Sequence, residues 1–404
     1  MPFVLFAAPI LSDNAFGMAE ALASLPGVRV GVVTQDPPQG LRHLQGRVAH
    51  WQVSDVLDAR QLVWAARAMG AVHGDIHRFL GAYEQLQVPL AEARAALGVE
   101  GMGVEVAANF RDKARMKTLL REAGLPCARH RLAATVDDAV AFAESSGFPV
   151  VVKPPSGAGA VSTFRVDDVG QLRQALGASP PTAAHPVLLE EFVQGEEHSF
   201  ETMTVGGAHV WHSLTHYYPT PLTVLANPWI QWSLVLPREV DSPAYDDIRA
   251  AARRALDVLG MRAGLTHMEW FRRADGTIAI SEVAARPPGA QITQLMSYAH
   301  DFDVVREWAR VMVFDEFAAP ERKYAAGAAF LRGQGEGRIV AVRGVDEVNA
   351  SLGELIVASK TPAVGATPSP SYEGDGWVIV RHPDTKVVEA AVLQIVSTIG
   401  VEVA

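Results

Sequence analysis

The dipeptide Asp275-Gly276, set between two β-like runs at 267–273 and 278–283, constrains this 404-residue chain more than any other feature. An Asp-Gly pair in that setting signals a two-residue hairpin turn, whose central positions need φ > 0. With Asp275 and Gly276 as the turn, Ala274 faces Thr277 and, further along, Glu269 faces Glu282. Directly opposed residues share one face, with Cβ atoms roughly 5 Å apart. A four-residue loop keeps this register; an odd loop length breaks it. Like charges opposed in this way destabilise a hairpin, so something must neutralise them. Two carboxylates and phosphate oxygens together suit a hard cation such as Mg²⁺. The plainer alternative is a solvated face. Phe271 and Ile280, expected on the same side as the glutamates, argue against it.

The first hundred or so residues alternate strands (3–8, 28–33, a strand end at 71–76) with helices (18–23, 62–69, 88–97). That pattern predicts an open, largely parallel α/β sheet. No dinucleotide-binding glycine pattern follows the first strand, so this unit reads as a supporting domain. A boundary falls near 110. The helix expected at 112–123 is closed by Gly124-Leu125-Pro126. Strands are expected at 129–133, 149–153, 187–192, 198–205 and 209–214, and helices at 136–145, 167–176 and 243–259. An aromatic, proline-rich segment spans 217–237, and short strands, a glycine-rich turn at 333–337 and a helix at 386–398 follow. The expected domains are 1–110, 111–323 and 324–404.

Composition sets outer limits. Hydrophobic residues at 49% and charged residues at 20% supply a real core and exclude a disordered class. A net charge of −10 argues against a general nucleic-acid partner, while leaving room for a local basic pocket. Cys127 is the one cysteine, so no intrachain disulfide forms, and nothing beside it suggests an activated thiol. No apolar run approaches the roughly 18 residues of a membrane span, so no membrane partner and a cytoplasmic location are expected. His198, His212, His216 and His267 fit no zinc spacing and read as structural. Trp211, Trp229 and Trp232 read as core or lid packing.

Lys153 ends the apolar run Val150-Val151-Val152 and precedes Pro154-Pro155-Ser156-Gly157-Ala158-Gly159-Ala160. A lysine closing a buried strand needs a partner, and a loop of small residues lets backbone N–H groups approach phosphate oxygens. There is no Walker A loop, zinc-protease helix or Gly-x-Ser-x-Gly elbow.

In chain order stand Lys113, Lys153 with its loop, Glu190-Glu191-Phe192-Val193-x-Gly195-x-Glu197, Glu269, and Glu282-Val283-Ala284-Ala285-Arg286-Pro287. This order resembles the ATP-grasp superfamily over nearly the whole chain. The resemblance implies an ATP-grasp fold of mixed α/β and α+β character. It has an N-terminal open parallel-sheet domain, a central two-lobed nucleotide clasp and a small C-terminal domain. It implies that Lys113 and Lys153 hold the phosphates of ATP, under a loop containing Ser156, Gly157, Gly159 and Ala160. Glu190, Glu191 and Val193 would lie at the adenine edge, and Glu197 at the ribose hydroxyls. Glu269 and Glu282 would bind Mg²⁺, with Mn²⁺ as its substitute. Arg286 would act with Lys153 on the transferring phosphoryl group. Ala284 departs from the commoner pattern, which has Asn there. The Glu-x-x-Ala-Arg arrangement is similar to the L-amino acid ligase branch. The implied activity joins a small-molecule carboxylate to an amine through an acyl phosphate, releasing ADP and phosphate. A homodimer is the assembly the resemblance suggests. Two other classes share the pattern: a nucleotide-biosynthesis carboxylase or formyl-transfer ligase using bicarbonate or formate, and a non-catalytic ATP-binding module.

Overall fold

A computed structural model describes all residues except 157–162, 178, 228–229 and 334. The N-terminal strands β1 (Phe3–Ala8), β2 (Arg29–Thr34), β3 (Val48–Gln52) and β4 (Ile76–Gly81) form a parallel sheet in the order β3-β2-β1-β4. Its helices are α1 (Asp13–Ala23), α2 (Ala59–His73) and α3 (Gln87–Leu97). Strand alternation divides them: Val4 and Phe6 pack with Met18 and Leu22 of α1, while Phe3 and Leu5 pack with Leu62 and Met69 of α2 and Leu90 of α3. Two expectations shift. α1 starts at Asp13 because the Ser12 hydroxyl caps it, accepting from Ala15 N. Residues 71–73 continue α2 past Gly70, Gly74 (φ +93°) ends the helix, and the strand begins at Ile76.

Two helices lead into the centre, α4 (Val104–Arg111) and α5 (Lys113–Glu122), with Asp112 capping α5. Next come β5 (His130–Ala133), α6 (Val136–Ser146), β6 (Val150–Lys153), β7 (Phe164–Val166), α7 (Val169–Gly177) and β8 (Val187–Glu191). These strands make an antiparallel sheet in the order β5-β8-β6-β7. Leu189 packs into the core shared with α6 and α7, so its neighbour Glu190 faces the other way.

The rest of the chain builds a larger sheet. It comprises β9 (Glu196–Val205), β10 (Ala208–Tyr218), α8 (Pro221–Ala226), β11 (Trp232–Leu236), α9 (Asp246–Leu259), β12 (Gly264–Arg272), β13 (Ile278–Ala284), α10 (Ile292–His300) and α11 (Val304–Phe314). Beyond these lie β14 (Ala325–Leu331), β15 (Ile339–Arg343), α12 (Val345–Leu352), β16 (Ile356–Lys360), β17 (Gly376–His382), α13 (Thr385–Thr398) and β18 (Gly400–Val403). Among the described residues the sheet order is β13-β12-β9-β10-β11-β14-β17-β16, while β15 pairs with β18. The aromatic segment 217–237 thus holds a short helix and the fully buried β11. Strands on either side of residue 324 share one sheet through the pairing of β11 with β14.

The two faces of this sheet differ in what they meet. On one, Phe200, Leu214, Met268, Trp270 and Ile280 pack against α5 and α9. On the other, Met203, Trp211 and Leu265 pack against α10 and α11. Farther along that second face the side chains turn polar, and there the site lies.

His198 and His216 sit on the α9 face, ring centroids 4.5 Å apart, with His198 4.7 Å from Trp270. Burial, with His216 and Arg272 nearby, pushes His198 down to about 3. Burial alone pushes His216 down to about 4. Below the ordinary imidazole range the unfolded chain takes up protons that the folded chain refuses, so stability falls as pH drops from about 6.5 toward 4. Each ring adds a slope of at most about 1.4 kcal/mol per pH unit. Urea midpoints measured across this window should fall less steeply in His216→Gln than in the parent; equal slopes would mean the ring is charged in the folded protein.

Candidate active site

The β12–β13 hairpin does oppose two carboxylates, by a route different from the expected one. Its loop is three residues long: Arg273 N donates to Thr277 O (2.8 Å), Gly276 N donates to Arg273 O (2.9 Å), and Gly276 takes φ +82°. An odd loop breaks the expected register, so Trp270 pairs with Ile280 and Phe271 with Ala279. A β-bulge leaving Ser281 unpaired then restores it, and Glu269 pairs with Glu282. Phe271 stays on the pocket side, but Ile280 does not. The bulge places Ile280 on the apolar face against Trp270, correcting its expected place beside the glutamates.

The repulsion between these carboxylates is answered by protein cations. Lys113 Nζ donates to Glu282 Oε1 at 2.5 Å, and His267 Nε2 stands 3.8 Å from Glu269 Oε1. Burial would raise Glu269, but His267, helped by Lys113 and Lys153, holds it down at about 2. Burial would likewise lower His267, and the Glu201 and Glu269 carboxylates hold it up at about 9. Lys113 is itself buried at the start of α5, where its backbone N–H donates to Pro155 O (3.0 Å) and ties the helix to the end of β6.

Behind this pair lies a second set. Lys153 Nζ is 2.9 Å from Glu190 Oε1, and Lys117 Nζ is 3.4 Å from Glu190 Oε2. Lys117 also donates to the bulge carbonyl, Ser281 O, at 2.7 Å. Burial pushes Lys117 down despite Glu190, whereas Glu190 and Glu282 outweigh burial to raise Lys153. Glu190 is held low against its burial by the two lysines.

A third contribution comes from the N-terminal unit, read from sequence as a support. Glu84, buried just after β4, meets Arg286 at 3.2 Å, Arg111 at 3.4 Å and Lys113 at 3.8 Å. Sequence reasoning missed Glu84 and Lys117. Glu84 carries no local signal. Lys117 does, since it lies four residues after Lys113 on one helix and so on the same face. His267, read as structural, lines the cavity.

One cavity of about 620 Å³ gathers these groups. Lys113, Lys153, Glu190, Glu191, Val193, Glu197, Glu269, Glu282 and Arg286 all stand on its wall. Glu191 is engaged by Arg129 at 2.6 Å and Arg273 at 3.8 Å. Ser156 is exposed; Gly157, Gly159 and Ala160 lie outside the described residues, as does Trp229. Tyr217, Thr220, Pro221, Leu222 and, from the C-terminal region, Tyr372 complete the lining. Trp232 supports it from the core, donating through Nε1 to Tyr372 O (2.6 Å) and stacking on Phe330 at 4.4 Å. Cys127 is buried, and burial pushes its thiol up.

The donor set fits a divalent cation. Glu269 and Glu282 offer oxygen alone, and Glu197 is pushed up to about 8 by burial and by Glu269. Glu197 therefore keeps its proton beside them, and the two ionised carboxylates are oxygen donors of the kind a hard cation takes. Among the described residues no three His, Cys, Asp or Glu side chains cluster as a metal site. The protein would thus supply two ligands, leaving the rest to phosphate or water.

Residues 118–295 match the ATP-grasp domain family. The L-arginine-specific L-amino acid ligase of Bacillus subtilis is 28% identical over 208 residues, 50% of this chain and 49% of that protein. The D-alanine–D-alanine ligase of Stutzerimonas stutzeri (strain A1501) is 27% identical over 198 residues, 48% of this chain and 60% of that one. The chain thus spans about half the length of the curated relatives it matches. The crystal structure of L-amino acid ligase from Bacillus licheniformis superposes with a TM-score of 0.76 at 18% identity, covering 99% of this chain and 98% of that one. That likeness is one of fold.

Lys117→Met should destabilise the protein by about 3 kcal/mol, because a buried carboxylate loses one of its two cations. Denaturant titration measures this directly. A loss below about 1 kcal/mol would mean that Lys117 does not anchor the cluster.

Proposed function

We propose that this chain, which carries an ATP-grasp domain in an ATP-grasp fold, is an ATP-dependent ligase joining a small-molecule carboxylate, an amino acid above all, to an amine. The observation that carries this reading is the shared wall. Glu269 and Glu282 face each other within one cavity that also holds Lys113, Lys153 and Arg286. Two carboxylates for a cation, two lysines and a guanidinium are what a triphosphate and a transferring phosphoryl group require. The amino-acid ligases among its relatives favour an amino acid as the substrate.

Each residue then has a task. Lys113 and Lys153 hold phosphate oxygens as point charges. Glu190, locked between Lys153 and Lys117, orients Lys153, which leaves Glu191 and Val193 for the adenine edge and Glu197 for the ribose. Mg²⁺, held by Glu269 and Glu282, supplies charge neutralisation for the triphosphate when bound. A substrate carboxylate oxygen bonds to the γ-phosphorus of ATP as the bond to ADP breaks. Arg286 offsets the charge on the transferred group with its fork of donors. The amine nitrogen then attacks the acyl carbon, phosphate leaves, and the nitrogen loses a proton. Tyr217, Thr220, Pro221 and Leu222 wall the reacting centre from water, which would otherwise consume the acyl phosphate.

Phosphate release from ATP and Mg²⁺ should depend on particular L-amino acids or pairs of them, and Glu282→Ala should lower it at least about 100-fold. Release that no amino acid or pair stimulates, from protein that still binds ATP, would refute the amino-acid reading. Formate, bicarbonate and phosphorylated amines would then be tested in turn.

A further inference from the structure

A row of polar side chains crosses the pocket face of the large sheet, and one member has no place in the reading above. On β9 and β12, Glu201 pairs with His267 and Ser199 pairs with Glu269. Glu201 has no solvent exposure at all. Its Oε1 accepts from His267 Nδ1 at 2.8 Å and from Ser199 Oγ at 2.6 Å. Its Oε2 accepts from Thr215 Oγ1 at 3.3 Å. A carboxylate shut inside a sheet is costly unless every acceptor is met, and here three donors from three strands meet it.

This grip fixes one side of the His267 ring and so decides where the other side points. Nε2 faces Glu269 Oε1, 3.8 Å away. His267 and Glu269 line the cavity, whereas Glu201 is sealed beneath them. A carboxylate–imidazole–carboxylate line therefore runs from the interior of the sheet to the wall where a cation would sit.

We propose that Glu201 is a positioning residue for the divalent cation: it sets the plane of the His267 ring, and His267 holds the Glu269 carboxylate in the orientation that ligation needs. This rests on the reading of Glu269 as a cation ligand. Glu201 is too deeply buried to touch a ligand itself, so its effect passes through the ring. Partners of this outer kind tune metal affinity by about 10–100-fold.

The test is Mn²⁺ binding to the full chain in the presence of ADP, followed by the paramagnetic resonance of free Mn²⁺ below each variant's unfolding midpoint. Glu201→Gln keeps the side chain's shape and should weaken Mn²⁺ at least about 10-fold. His267→Asn should weaken it similarly, and the double variant should bind no worse than either single one, since both cut one line. Glu269→Ala is the control. If that control loses Mn²⁺ while Glu201→Gln and His267→Asn bind like the parent, the positioning role is wrong and the cation site stands. If Glu269→Ala binds like the parent, the cation reading fails and this proposal with it. Should Glu201→Gln not fold, His267→Asn decides alone: parental affinity in that variant overturns the proposal.

Discussion

Two carboxylates held face to face across β12 and β13 repel each other, and the charged groups around them form three strings that answer that repulsion. From Glu282 the first runs through Lys113 to Glu84 and on to Arg286 and Arg111. From Glu269 the second runs through His267 to Glu201. The third joins Lys153, Glu190 and Lys117, ending on the bulge carbonyl beside Glu282. Each string draws in a different part of the fold: Glu84 of the N-terminal unit, Glu201 in the middle of the large sheet, and Glu190 on β8. Charge compensation at the hairpin is thus also a set of ties that run alongside the apolar packing of β12 and β13 on α5.

Much of the fold could be read from local pattern. The apolar run 3–8 and the strand closing at Lys153 stand where their composition puts them, because a buried strand needs continuous β-branched or apolar residues. The failures fall where local signals are weak or contradicted. The 217–237 segment conceals β11 because its prolines and aromatics resemble a loop, and only pairing with β10 and β14 makes it a strand. Residues 71–73 have strand-like composition, yet an unbroken helix carries them on to Gly74.

At the site, the residues legible in the sequence were those in short motifs, and those missed act over long separations. Glu84 reaches Arg286 across 202 residues, Lys117 reaches Ser281 across 164, and Glu201 meets His267 across 66. Nothing in a single sequence marks Glu84 or Glu201, each an ordinary surface or strand residue until the fold brings the partners together; Lys117 is marked only by its helical spacing from Lys113. The facing of Glu269 and Glu282 was legible for an incomplete reason. Loop length and bulge each shift the register by one residue, and the two shifts cancel.

That cancellation has a physical use. A two-residue turn without a bulge would set the same two glutamates opposite each other, but would pair Ser281 with Trp270 and commit its carbonyl to the ladder. A three-residue loop with a bulge leaves one residue, Ser281, out of the pairing, and its carbonyl is free to take Lys117. Lys117 is wholly buried and faces Glu190 at the end of β8, where Lys153 also binds. The irregularity in one sheet thereby becomes the anchor for a lysine that supports a carboxylate of the other sheet. The hairpin carrying the two opposed carboxylates is thus tied to the strand carrying Lys153 through a single buried cation. A regular hairpin would give the same cross-strand pair without that link between the two walls of the cavity.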